Sequence, residues 1–126
     1  MVAYFGVLYK TIREPDGLLQ LFRDMQRLDD NLHELLQLHF CGDISACEDN
    51  FFGYPDLNPI LKFPGYIKRS ELSNHMVDVD VLLNIGNTTD YQLPSKVVEY
   101  IGYGIPILNF KQSRFDPSEE ILKNHP

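Results

Sequence analysis

The chain of 126 residues is 44% hydrophobic and 23% charged, which is one domain's worth of chain and enough to bury a core without disulfides or a metal. That composition, with aromatics scattered along it, excludes a disordered or collagen-like protein, and no apolar run approaches the ~20 residues of a membrane-spanning helix. Eleven Lys and Arg against eighteen Asp and Glu, net −7, argue against nucleic acid as a partner, because phosphate neutralisation dominates that affinity. A phosphate-bearing small molecule needs only a few local donors and stays open. No basic region precedes an apolar segment at the N-terminus, so no secretory signal is visible and a cytoplasmic protein is expected. Cys41 and Cys47, the only cysteines, do not make a zinc framework and read as reduced, inert thiols.

In chain order, Val2-Ala-Tyr-Phe-Gly-Val-Leu-Tyr9 is β-branched and aromatic, as a buried strand should be. Asp16 opens an amphipathic helix in which Leu18, Leu19, Leu21, Phe22, Met25 and Leu28 follow helical spacing, with Arg23, Asp24 and Arg27 opposite. Residues 34–41 read as a second strand stopped at Gly42-Asp43. The acidic stretch 43–59, with Gly53, Pro55 and Pro59, reads as a connector with at most one short helical turn. A short third strand spans 60–63, and Ser70 is placed to cap a helix with Leu72, Met76 and Val77 on one side. Residues 81–85 form a fourth strand of apolar type. Pro94 then sits at a first helical position, Val97, Val98 and Ile101 line one face, and Gly104 is the stop. Residues 105–110 make a fifth strand, and Asp116-Pro117 begins a last helix.

This alternation predicts an α/β fold: a Rossmann-like, doubly wound parallel sheet of about five or more strands in a single unit over 1–126. Ligands of such sheets lie beyond the carboxyl ends of the strands, at helix N-termini whose free N–H groups favour anions. Three loops there carry chemistry. Lys10-Thr-Ile-Arg13 brings two cations into an acidic protein, Pro64-Gly65-Tyr66-Ile67 offers a glycine for close backbone approach, and the loop from Gly86 leads to Pro94-Ser95-Lys96 with Glu99 one turn on. Together they suit a ligand carrying phosphate and hydroxyl groups. Each also has a plainer reading: Arg13 as a solvated loop cation, Ser95 as an ordinary first-turn residue, Glu99 as a surface acid. His33, His39, His75 and His125 lack ligand spacing, so no metal is expected. No Gly-x-Gly-x-x-Gly or Walker-type loop occurs.

Residues 93–107, Leu-Pro-Ser-Lys-Val-Val-Glu-Tyr-Ile-Gly-Tyr-Gly-Ile-Pro-Ile, resemble the donor-binding segment of the retaining "group 1" GT-B glycosyltransferases. Val79 to Ile85 resembles that family's "ala-asp-val" strand, Phe63 to Ile67 its Gly-centred base loop, and Phe5 through Arg13 its opening strand and phosphate loop. The resemblance implies half of a GT-B architecture, the domain that binds a nucleotide-diphosphate sugar, without the N-terminal acceptor-binding domain and final helices. It implies Glu99 on the ribose hydroxyls, with Ser95 and Lys96, after Pro94, beside the diphosphate. Arg13 would stabilise the leaving diphosphate, with Lys96 as its catalytic companion, and Gly65, Tyr66 and Ile67 would border the base. The parent enzyme would pass a hexosyl group to a glycan or lipid-linked acceptor in bacterial-type glycan biosynthesis, with no cofactor beyond the donor. It would work in the cytoplasm, with room for peripheral association at the inner membrane face. Three departures stand out: Tyr91 where the first acid of Glu-x7-Glu would fall, Pro94 for a common glycine, and Ile105 for a frequent lysine. A sugar-nucleotide epimerase domain and a non-catalytic α/β interaction module are the alternatives.

Overall fold

The computed structural model describes residues 1–88, 95–112, 114 and 116–123, with side chains from 97 onward in the helix that starts at Ser95. Five strands, β1 (Val2–Phe5), β2 (Leu38–Cys41), β3 (Leu61–Lys62), β4 (Val81–Ile85) and β5 (Ile107–Phe110), form one sheet in the order β3-β2-β1-β4-β5. Every pairing is parallel, which requires a crossover between successive strands and therefore helices on the faces. Those helices are α1 (Asp16–Leu28), α2 (Leu32–Leu35), α3 (Glu48–Phe52), α4 (Leu72–Met76), α5 (Ser95–Ile101) and α6 (Pro117–Leu122).

The two-residue period of β1 divides the core in two. Val2 and Tyr4 join Leu18, Leu19 and Phe22 of α1 and Phe51 of α3 on one face. Ala3 and Phe5 join Leu72 and Met76 of α4 and Tyr100 of α5 on the other. A strand buried on both sides needs an apolar residue at every position, which is why β1 reads as a continuous run. The doubly wound α/β class expected from the alternation is the one observed.

Several local expectations need correction. β1 ends at Phe5, not Tyr9: Gly6 turns the chain out at φ 147°, and Tyr9 pairs with Arg13 in an isolated antiparallel bridge. The first two residues of the expected second strand, Glu34 and Leu35, are helical, because α2 closes through Leu36 N–H to Leu32 O, and β2 begins only at Leu38; Leu35 is left exposed. The stretch 43–59 holds more structure than one turn: a 3-10 turn at Ser45–Cys47, α3, and another 3-10 turn at Pro55–Leu57. Ile44, Cys47, Phe51, Tyr54, Leu57 and Ile60 recur every three or four residues there and pack into the α1 face, a helical period broken by Gly53 and Pro55. Ser70 lies inside a 3-10 turn, Arg69–Glu71, and Glu71 precedes α4 without a side-chain cap. Val77 faces solvent at 82% exposure rather than joining Leu72 and Met76. On α1 the inward stripe is only Leu18, Leu19 and Phe22, with Leu21, Met25 and Leu28 exposed. On α5 it is Val97 and Tyr100 that are buried, while Val98 is exposed. β3 and β5 are each shorter than expected, at two and four residues.

Other signals hold. Gly104 adopts φ 67° after α5, the left-handed stop that glycine accepts without a Cβ penalty. Asp116 caps α6 by accepting the Ser118 N–H at 2.9 Å, with Pro117 at the first helical position.

Candidate functional site

Strand order reverses between β1 and β4, and there the sheet opens. β1 pairs with β2 along its whole length, from Val2–Leu38 to Phe5–Cys41, but with β4 only through Val2–Val81 and Ala3–Leu82. The Phe5 peptide is therefore left without a β4 partner. The Tyr100 hydroxyl takes its place, accepting the Phe5 N–H at 2.9 Å and donating to the Phe5 carbonyl at 3.2 Å. A side chain from α5 thus finishes the ladder and holds the strands apart at their carboxyl ends. Burial pushes the Tyr100 phenol far above its ordinary pKa, so it stays a neutral donor and acceptor.

Over this split lies a cavity of about 600 Å³, bordered by the ends of β1, β2 and β4 and by Tyr66, Ile67 and Arg69. Its position is the topological switch point, where open α/β sheets bind ligands. The floor is tight because the strand-end glycines touch: a Cβ on Gly42, at φ 132°, would sit 2.1 Å from the Gly6 carbonyl oxygen. The Cys41 thiol also lines it, pushed up to about 11 by burial and so uncharged at neutral pH. Both cysteines are free and buried, as expected.

Of the two loop cations, only Arg13 borders the cavity. Lys10 turns outward, donating to Asp49 at 2.8 Å and Asn50 at 2.6 Å, and the Asp49 bond raises its pKa. The plain reading of Arg13 as a solvated cation is not what the fold does with it. Its half-buried guanidinium donates from Nε to Asn87 Oδ1 at 3.0 Å and from Nη1 to the Val7 carbonyl at 3.2 Å and the Tyr4 hydroxyl at 3.4 Å. All three acceptors are neutral oxygens, so within this set the positive charge is oriented without being cancelled.

Glu99 borders the same cavity and is two-thirds buried, with Arg69 Nη2 3.5 Å from its Oε1. Arg69 is 88% exposed, and such a surface pair contributes little and exchanges easily. Tyr66 and Ile67 border the cavity, with Tyr66 81% exposed. Gly65 sits at φ 83° in open space, with nothing within 4 Å of where a Cβ would stand, so its role is the left-handed turn. Ser95 and Lys96 begin α5 by their backbone, but their side chains, with Pro94 and Tyr91, lie outside the described residues. Reading the sequence alone misses Tyr4, Tyr100, Asn87 and Asn84. Asn84 is 2% exposed, borders the cavity, and donates to Asn109 Oδ1 at 2.7 Å.

Among the described residues no three His, Cys, Asp or Glu side chains gather as a metal group, and no helix is long and apolar enough to cross a membrane.

No protein-family model matches the chain, and no curated protein matches it. Among solved structures it is similar to the apo form of the lipopolysaccharide outer core galactosyltransferase WaaB, with a TM-score of 0.55 and 19% identity. The likeness covers 98% of this chain and 38% of that one, so the chain spans little more than a third of that enzyme's length. At this identity the likeness shows the fold. The chain is a Rossmann-like α/β unit of the kind found in a glycosyltransferase.

Proposed function

We propose that the chain is the donor-binding domain of a GT-B glycosyltransferase, binding a nucleotide-diphosphate sugar in the switch-point cavity. The observation that carries this reading is the presence of two opposite chemistries in the lining of one cavity. Arg13 is an oriented cation surrounded by neutral acceptors, and Glu99 is a carboxylate whose partner on Arg69 is exchangeable. The first suits a diphosphate; the second suits a ribose, whose two hydroxyls donate to a carboxylate. The exposed ring of Tyr66 at the rim suits a flat base.

In the intact enzyme the hexosyl group would pass to a glycan or lipid-linked acceptor held by a separate N-terminal domain. The work of this half is electrostatic. As the glycosidic bond to the diphosphate breaks, negative charge grows on the phosphate oxygen. Arg13, fixed beforehand by Asn87 and Val7, meets that charge without reorganising. Lys96 and Ser95, at the start of α5, are proposed beside the same phosphates, where the helix N–H groups add to the field. This half needs no acid–base pair.

Calorimetric titration with UDP and GDP, against uridine and guanosine, tests the reading. Binding of a diphosphate that Arg13→Ala weakens by about tenfold or more, with the nucleoside little changed, supports it; one charge-assisted bond is worth ~1.5–3 kcal/mol. Equal losses for nucleoside and diphosphate refute the phosphate role of Arg13. A fold that binds neither is the interaction module.

A further inference from the structure

Resting on that reading, we propose that Asn87 is a positioning residue for Arg13, and that its amide is used because it orients the guanidinium while leaving the charge free for an incoming diphosphate. Asn87 is 4% exposed, directly after β4 and Gly86. It reaches 74 residues back along the chain to accept the Arg13 Nε–H at 3.0 Å. The next residue reinforces the link: Thr88 donates its N–H to the Ile12 carbonyl at 2.8 Å and its hydroxyl to the Thr11 carbonyl at 2.5 Å. Thr11 itself stands at φ 61°, a left-handed conformation costly for a β-branched residue. The loop that leaves β1 is thus held in a strained form by the segment that leaves β4. Three hydrogen bonds cross the switch point, and the outcome is the placement of Arg13 at the cavity wall.

The chemistry of the acceptor is the informative part. A carboxylate at position 87 would hold Nε equally well and bind it more strongly, and acids outnumber bases eighteen to eleven in this chain. Yet the side chain, the carbonyl and the hydroxyl that hold Arg13 are all uncharged. A neutral acceptor fixes the direction of the fork and leaves the net charge for the ligand, whereas a carboxylate would fix it and compete with the phosphate.

Asn87→Asp and Asn87→Ala separate these roles. Both are titrated with UDP, GDP, uridine and guanosine, and melted to confirm folding; Asn87→Asp keeps the shape and the oxygen that accepts from Arg13 Nε. The expected order of diphosphate affinity is wild type, then Asn87→Ala lower by about threefold to tenfold, then Asn87→Asp lower by about tenfold or more, with nucleoside affinity held within about twofold. Asn87→Ala binding a diphosphate as wild type does would overturn the positioning role. Asn87→Asp binding it as wild type does would overturn the need for a neutral acceptor. Equal loss of nucleoside and diphosphate would make Asn87 merely structural and overturn both. Arg13→Ala is the control: if it leaves diphosphate affinity unchanged, the donor-site reading fails and this inference with it. A normal Arg13→Ala effect beside silent Asn87 variants overturns this inference alone.

Discussion

Tyr100→Phe removes one oxygen from the protein and breaks two hydrogen bonds, both to the Phe5 peptide. The ring is 2% exposed and keeps its packing against Ala3, Phe5 and Leu82, so the loss is almost wholly polar. A buried group left unsatisfied costs ~1–3 kcal/mol. Two are orphaned here, but Phe5 borders the cavity, where water can reach part of its peptide. A net loss of about 2 kcal/mol follows, a large share of the ~5–15 kcal/mol that holds a domain together. For a chain of this size that is roughly 6–12 °C in Tm. Thermal melting by circular dichroism, with a urea titration to confirm an unchanged m-value, reads the effect. A loss below about 0.5 kcal/mol would mean that β1 and β4 do not rely on Tyr100 at the switch point, since a neutral bond in water is worth about that much.

The folded Cys41 thiol is held at about 11 against an ordinary 9.0. The folded state therefore keeps its proton longer, and this contribution, complete below about pH 9, is lost as pH rises toward 11. Wild-type stability should fall faster than that of Cys41→Ala between about pH 9 and 10; parallel curves in urea titrations would contradict the burial argument. With no gathered ligand set among the described residues, diphosphate affinity should be the same in EDTA as with magnesium or manganese. Affinity that vanishes in EDTA and returns with either ion would remove the all-protein phosphate site.

The sheet is legible in the sequence because β1, β2 and β4 are buried on both faces, and such strands read as near-continuous apolar runs, here interrupted only by His39 and Asn84. Their order in the chain, alternating with helix starts such as Asp16 and Asp116-Pro117, leaves few topologies to choose from. The stretch 43–59 resists such reading because its core contacts follow a helical period spread over three short turns, broken by Gly53 and Pro55 between the second and the third. Val98 and Val77 mislead for a different reason. Both are apolar at helical spacing, and only tertiary packing decides which of two neighbouring apolar residues turns inward. In the site, Arg13 and Glu99 are visible as charges at loop and helix positions that favour ligands. The residues that hold them are not. Asn87 meets Arg13 across 74 positions and Tyr100 meets Phe5 across 95, and neither carries a local signature. Tyr100 has one usable sign, three residues after Val97 on a short helix, which places both on one face.

The most direct measurement of the central claim is the affinity of Glu99→Gln for a ribonucleoside diphosphate and its 2′,3′-dideoxy counterpart. Gln keeps the shape of Glu99 and removes its charge. Arg69, its partner at 3.5 Å, is 88% exposed, so that pair adds little, and thermal melting of Glu99→Gln beside wild type checks that the fold is kept. A carboxylate one helical turn, ~5.4 Å, into α5 from a bound diphosphate accepts from both ribose hydroxyls. Each charged bond is worth ~1.5–3 kcal/mol, so the ribonucleotide should bind Glu99→Gln about tenfold or more weakly. The dideoxy nucleotide should bind wild type weakly and be indifferent to the substitution. Unchanged ribonucleotide affinity in Glu99→Gln, or an equal loss for both nucleotides, would contradict the donor site.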